Sequence, residues 1–552
     1  MKKIFSIAVL SVFIAFGSCK KAIDEQPISE GLLKDFLHNK IEADAAIAGM
    51  YGEFQQTMIG DGQFRNRMTW WGEARSDNWE RRLTYATTAS NEIDLNGLTE
   101  INEHADWSFL YSTIGRANLL IKRLPEIKQF TPVGTVGALT PALENSYMAQ
   151  SYAMRALCYF WIARVWGNAP IRTEPYLSIS EQGEQTQDPQ AKVLEQAISD
   201  LTKAYELTAK GANSPVWYLG EAAITSILAD VYMWRAGTTK NAADYAEAIV
   251  WFKRLFAAKA PTAKVYNAAG VSATGAGGSV ADLQTGATWN AQFANPVTSI
   301  ETIFNIHWEN IANGCACMAG VSRTTNEPVI RMADPLWTNW PLVATASYVN
   351  GSVTTTSTVD IRVKQTYNIS SATNQPIRDR SFWKFYAGAF TAATATAPYN
   401  FALPNGSYAS NLPYNTETNV YIPLYRLSGM YLLYAEALNK TGDRTNAVKY
   451  LNLIKTRAGV PTVTVANFSN ESLLEMEILK ERQFELIGEG VRWFDLVRTD
   501  RVKEVMDPIL IARQTAAGNP ATGWGDDKRR YYWPLATRVL FSNGLLVQNQ
   551  PY

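Results

Sequence analysis

Between Tyr431 and Arg457 the sequence describes a helical hairpin, and this feature constrains the fold more than any other. Tyr431 to Asn439 carries apolar and small residues at helical spacing, Lys440-Thr441-Gly442-Asp443 makes a turn, and Ala447 to Arg457 resumes the pattern ahead of Pro461. Ala435 and Ala447 put small side chains where the two helices must approach closely, with Leu438 and Leu451 following in their helices. Such a hairpin cannot bury its own apolar face, so other helices must stack against it.

A second pair, Ala222 to Trp234 and Tyr245 to Phe256 about Gly237, repeats the plan. The Tyr431–Arg457 hairpin fits tetratricopeptide spacing, the plainer alternative being an ordinary antiparallel hairpin. Further helices are expected over Ala43 to Gln55, Trp107 to Ile127 and Ser146 to Trp166, the last stopped by Gly167-Asn168-Ala169-Pro170. From 258 to 425 the chain changes character, with Gly, Thr, Ser and Asn and short β-branched runs. The expected fold is mainly α: a helical-repeat scaffold carrying a loop-rich, partly β lobe. The expected divisions are 1–18, 19–257, 258–425 and 426–552, intertwined in one fold.

The N-terminus reads as an export signal. Lys2 and Lys3 precede the apolar run Ile4 to Phe16, and Gly17-Ser18 supplies small residues before a cut. Cys19 would then become the first residue, the position of a lipidated cysteine; the alternative is an ordinary secretory signal with Cys19 incidental. No later stretch approaches the roughly 18 uninterrupted apolar residues of a membrane-spanning helix. The rest of the chain is therefore expected to be tethered to a membrane by lipid.

Lys+Arg and Asp+Glu both number 51, so no charge excess points to nucleic acid. Cys158 lies in an apolar run and is expected to be buried, while Cys315-Ala316-Cys317 is too tightly spaced for an ordinary disulfide. His38, His104 and His307 are far apart and form no metal-binding spacing, so neither metal nor cofactor is assigned. No nucleophile elbow, zinc helix or phosphate loop is recognisable. A glycan hydrolase would need two carboxylates about 5–9 Å apart in a cleft, and no motif identifies them. No catalytic residue is assigned.

Aromatic residues, 12% of the chain with 17 Trp and 26 Tyr, are the compositional excess that bears on function. Flat rings with planar polar groups suit sugars, whose C–H faces lie on aromatic planes while hydroxyls bond to Asp, Asn and Arg. Residues 70–82 supply both, with Trp70, Trp71, Asp77, Asn78, Trp79 and Arg81 as candidate ligand contacts. Trp70 and Trp71 would serve equally as caps of the helical core, and the sequence leaves both roles open. Trp289, Trp337 and Trp340 are further candidates in the loop-rich lobe. Trp161, Trp166, Trp217, Trp234, Trp251 and Trp493 stand in apolar helical surroundings and are assigned to the core.

Several motifs occur in a consistent order: Arg155-Ala156-Leu157, Trp166 to Pro170, Tyr434 to Asn439, Arg457-Ala458-Gly459, Glu481-Arg482 with Glu485, Glu489-Gly490, Arg492 to Leu496 with Arg498, Trp533-Pro534-Leu535 and Gln548 to Tyr552. Together they resemble the SusD/RagB lipoproteins across nearly the whole chain. Gln550 departs from the pattern, where Gly is usual, and Asp24-Glu25 lie later than in the commonest surface-export signals. The resemblance implies a tetratricopeptide-like scaffold with a variable ligand face, and an outer-membrane lipoprotein facing the cell surface. It also implies a SusC-like TonB-dependent transporter as partner, an oligosaccharide or polysaccharide as ligand, and no bond chemistry. Asp77 matches a recurring acidic position of the family's sugar face. Alternatives are a peptide receptor of the same family and a transporter lid without ligand affinity. The alternating charges from Glu481 to Arg498 read as pairs that lock a helix to its neighbours. Arginines near Glu485 and Glu489 make either carboxylate a poor general acid.

Overall fold

The computed structural model describes residues 36–59, 66–176, 183–211, 214–263 and 419–552, with 282–289, 291–309, 329–336, 360–366 and several shorter pieces between 264 and 418. Cys19, Cys315, Cys317 and Trp337 lie outside the described residues, as does the signal segment 1–18. No helix among the described residues is long and apolar enough to cross a membrane.

The fold is mainly helical. Its first part contains α1 (Lys40–Ile59), α2 (Arg67–Gly72), α3 (Ser108–Arg123), α4 (Pro141–Val165), α5 (Gln190–Leu207), α6 (Glu221–Thr239) and α7 (Ala242–Ala263). After the central lobe come α8 (Leu427–Lys440), α9 (Arg444–Ala458), α10 (Glu471–Leu486), α11 (Arg492–Arg498) and α12 (Val502–Ala516). Contacts run from α1 to α3, then α4, α5, α6, α7 and α8 in turn, and α8 also meets α9 and α10. Each apolar face that a single hairpin would leave open is covered by a neighbour.

Local signals explain the boundaries. α4 begins earlier than the apolar pattern suggests because Thr140 accepts from Leu143 N at 3.3 Å and Pro141 occupies the first turn. From Ala153 to Val165 it is buried on every side, which removes the usual polar stripe. α9 is capped by Asp443, which accepts from Asn446 N, and stops at Gly459, where φ is +73°. Trp161, Trp166, Trp234, Trp251 and Trp493 lie in the core as expected, and Cys158 is buried with its thiol pKa pushed up by desolvation.

Two antiparallel ribbons position the aromatic side chains. In one, β1 (Trp79–Arg81) pairs with β3 (Ile330–Met332), setting Trp79 opposite Met332. In the other, β2 (Thr302–Trp308) pairs with β4 (Val420–Arg426), setting His307 opposite Tyr421. The central lobe adds short pairings, including a sheet in which Asn400–Ala402 lies between Ala389–Thr391 and Tyr408–Ala409. One apolar core joins residues from Leu37 to Val539.

Candidate functional site

The aromatic segment at residues 70–82 is interior. α2 is started by Asn66, whose side chain accepts from Thr69 N, and its short length turns Trp70 and Trp71 into the core. Trp70 stacks on His104 at 4.6 Å, and Trp71 donates to His104 O at 2.8 Å while meeting Trp166 edge-on. Trp79 is 1% exposed, packs on Phe382 and donates its indole N–H to Glu73 at 2.8 Å. The backbone N–H groups of Gly488 and Gly490 donate to the same Glu73 carboxylate. Here the chain approaches itself very closely: a Cβ on Gly72 would lie 1.9 Å from Gly490 O.

The polar members of the segment are also committed. Arg492 grips Asp77 through two bonds of 2.8 and 2.9 Å, and Gln483 donates to both Asp77 and Asn78. Arg81 is paired with Asp94 and Asn91. Arg75 lies over the rings of Trp493, Trp524 and Trp533 and donates to the carbonyls of Arg530 and Tyr531. Burial lowers its pKa to about 10. Residues 72–79 are thus stitched to residues 483–531.

Trp289 and Trp340 behave in the same way. Both are fully buried: Trp289 donates to Glu485 at 3.2 Å, and Trp340 donates to Asp360 at 2.9 Å with its ring stacked on Phe484. The ligand role expected of Trp70, Trp71, Trp79, Trp289 and Trp340 is therefore corrected. Their faces are covered by protein, and four of their indole N–H groups are spent on carboxylates or a carbonyl. Asn78 is likewise enclosed, while Asp77 and Arg81 are held in ion pairs.

Trp289 and Trp340 border a buried charge hub. Glu485 receives Arg362, Arg426 and Arg457, and Arg362 also binds Asp360 and Glu481. Arg457 reaches on to Glu301, while Arg426 and Lys384 both bond to Glu489. Beside it, Asp495 is shared by Arg482 and Arg498, and Arg498 also grips Glu436 on α8. The alternating charges of α10 and α11 therefore lock these helices to the lobe and scaffold. Burial alone would raise the Glu485 pKa, but Arg457, Arg426 and Arg362 overcome it and hold the carboxyl well below its ordinary range. Glu485 has no proton to give a leaving group. Glu73, with no arginine bonded to it among the described residues, is pushed up to about 7 by burial, against the pull of Trp79 and Gly488.

Open surface with ring faces lies elsewhere. A cavity of about 860 Å³ is lined by Asp77, by aliphatic groups such as Leu479, Val505 and Ile509, and by Phe468 and Phe484. A second, of about 620 Å³, lies along α3 and is lined by Tyr111, Tyr176 and Asn543. On the β2–β4 ribbon, Trp217 lies 4.0 Å from the His307 ring and 5.5 Å from Tyr421, tilted by 34° and 30°. All three rings are half-buried, and Tyr218 beside them is exposed. Trp217, expected in the core, stands instead in the loop before α6. Pro215 ahead of it and Gly220 behind were the available signals.

Residues 346–552 match the model of the SusD family, and residues 24–233 match one described as starch-binding, associating with the outer membrane. SusD-like protein P38 of Formosa agariphila is 26% identical, with 100% of each chain covered. A crystal structure of a SusD homolog from Bacteroides thetaiotaomicron superposes with a TM-score of 0.66 at 18% identity, covering 94% of this chain and 98% of that one. A laminarin-binding SusD-like protein gives a TM-score of 0.60 at 18% identity, covering 93% of this chain and 100% of the other. With its two ends matching family models and its fold shared along nearly its whole length, the chain belongs to the SusD/RagB family.

Proposed function

We propose that this protein is a lipid-anchored receptor on the outer surface of the cell. It captures an oligosaccharide or polysaccharide and passes it, uncleaved, to a SusC-like TonB-dependent transporter. The observation that carries the proposal is the family match at residues 24–233, described as starch-binding and outer-membrane-associated. The sequence Gly17-Ser18-Cys19 supports the anchor, and the arginine-locked Glu485 favours binding over hydrolysis. Trp337 keeps the ligand role that its sequence neighbourhood suggests.

The test is affinity electrophoresis of the full-length protein in detergent, through gels containing laminarin, pullulan, xylan, alginate or carrageenan. Retardation by at least one, with intact polymer recovered, is the expected result. Free migration through all of them, together with binding to a peptide library, would replace the glycan by a peptide.

A further inference from the structure

Resting on the proposed glycan function, we infer that Trp217, His307 and Tyr421 form a stacking shelf for an uncharged sugar ring. His307 and Tyr421 are direct partners across the antiparallel β2–β4 ribbon, so their side chains leave the same face side by side. The loop that carries Trp217 is pinned to this ribbon, because Asn305 N donates to Val216 O at 2.9 Å. The next residue then lays its indole across both rings, tilted by 34° and 30°. Trp217 lies over His307 and Tyr421 and all three residues are half-buried, so the rings brace one another at an apolar surface with solvent access. The sugar's C–H face needs such a surface.

The rim is suited to hydroxyl groups. Asn419 donates to the Tyr421 hydroxyl at 2.8 Å, and the exposed Tyr218 rests edge-on against Tyr51 at 5.2 Å. The Tyr51 hydroxyl is occupied by Leu219 N and Gln150, so it fixes the loop and leaves the rim to Tyr218 and Asn419. Gln55 donates to the His307 carbonyl, which holds the ribbon edge against α1. Glu309, two residues after His307 and just past the end of β2, puts an exposed carboxylate at this end of the ribbon. An acid beside the shelf repels uronates and sulfated sugars and tolerates neutral ones.

The same electrophoresis, run on Trp217→Ala, Tyr421→Ala, Trp217→Phe and Glu309→Gln variants of the full-length protein, tests the shelf. Each alanine variant should bind a neutral polymer roughly two- to twelvefold more weakly, the range expected for one lost ring stack. Trp217→Phe should retain most of the binding, and a neutral glycan that shifts the wild-type tryptophan emission should leave that of Trp217→Phe unmoved. Glu309→Gln should improve retention by alginate. Wild-type retardation by laminarin, pullulan or xylan, with the alanine variants equally retarded, would overturn the shelf and leave the receptor standing. Retardation by alginate or carrageenan alone would overturn the uncharged class, and free migration of the wild type in every gel would overturn the receptor and the shelf together. If an alanine variant fails to fold, the emission comparison with Trp217→Phe decides.

Discussion

Trp79 and Trp217 are the same side chain put to opposite uses. Trp79 lies under the β1–β3 ribbon, wedged on Phe382, with its N–H committed to Glu73. Trp217 lies over the β2–β4 ribbon, resting on His307 and Tyr421, and is half-buried. Around Trp79 the neighbours are charged, and the charges are buried and paired. Around Trp217 they are mostly aromatic and neutral. Charge beside an aromatic ring is thus no sign of a surface site when the partners of those charges are inside too. The hub ties the scaffold to the lobe, and the proposed shelf is a ring surface that keeps solvent access.

That contrast is broken most forcefully at Glu485. Glu485→Gln leaves Arg362, Arg426 and Arg457 without their shared countercharge and should cost about 3–5 kcal/mol or prevent folding. The pH dependence carries a matching sign. The folded pKa of Glu485 lies below the ordinary 4.5, so its stabilisation is whole above that pH and is lost as pH falls through the folded value. Thermal melts of the wild type should therefore decline in acid more steeply than those of the variant.

Gly72→Ala comes next. Its Cβ would collide with backbone at Gly490, so segments 66–82 and 488–492 must part, at a cost of about 1–3 kcal/mol in chemical denaturation. Trp79→Phe keeps most of the apolar volume but withdraws one donor from Glu73, and should cost about 1 kcal/mol. Trp217→Phe sits at the far end of the scale: a stability change within about 0.5 kcal/mol is expected of a partly exposed site. A loss at position 217 as large as that at position 79 would erase the distinction between the two regions.

Much of the scaffold is legible from local signals. The Lys440–Asp443 turn, the small residues Ala435 and Ala447, and the Gly167 and Gly459 stops act within a few residues of themselves. The hub is legible only in part. Its alternating charges point to a helix lock, but the partners Arg362, Arg426 and Glu301 come from distant stretches whose spacing carries no periodic signal. Residues 70–82 mislead for the same reason, since Arg492 pairs with Asp77 from 415 positions away. Trp217 reads as a core residue because apolar residues follow it in α6, although those residues begin beyond the turn.

The most direct test is hydroxyl-radical footprinting of the full-length protein by mass spectrometry, with and without a polysaccharide that retards it. Trp217, Tyr218 and Tyr421 should be oxidised in the free protein and protected by the glycan, while Trp71, Trp79, Trp289 and Trp340 stay unoxidised in both. Glycan-dependent protection at Trp79, Trp289 or Trp340, with no change at Trp217, would contradict the division between a structural hub and a ligand shelf.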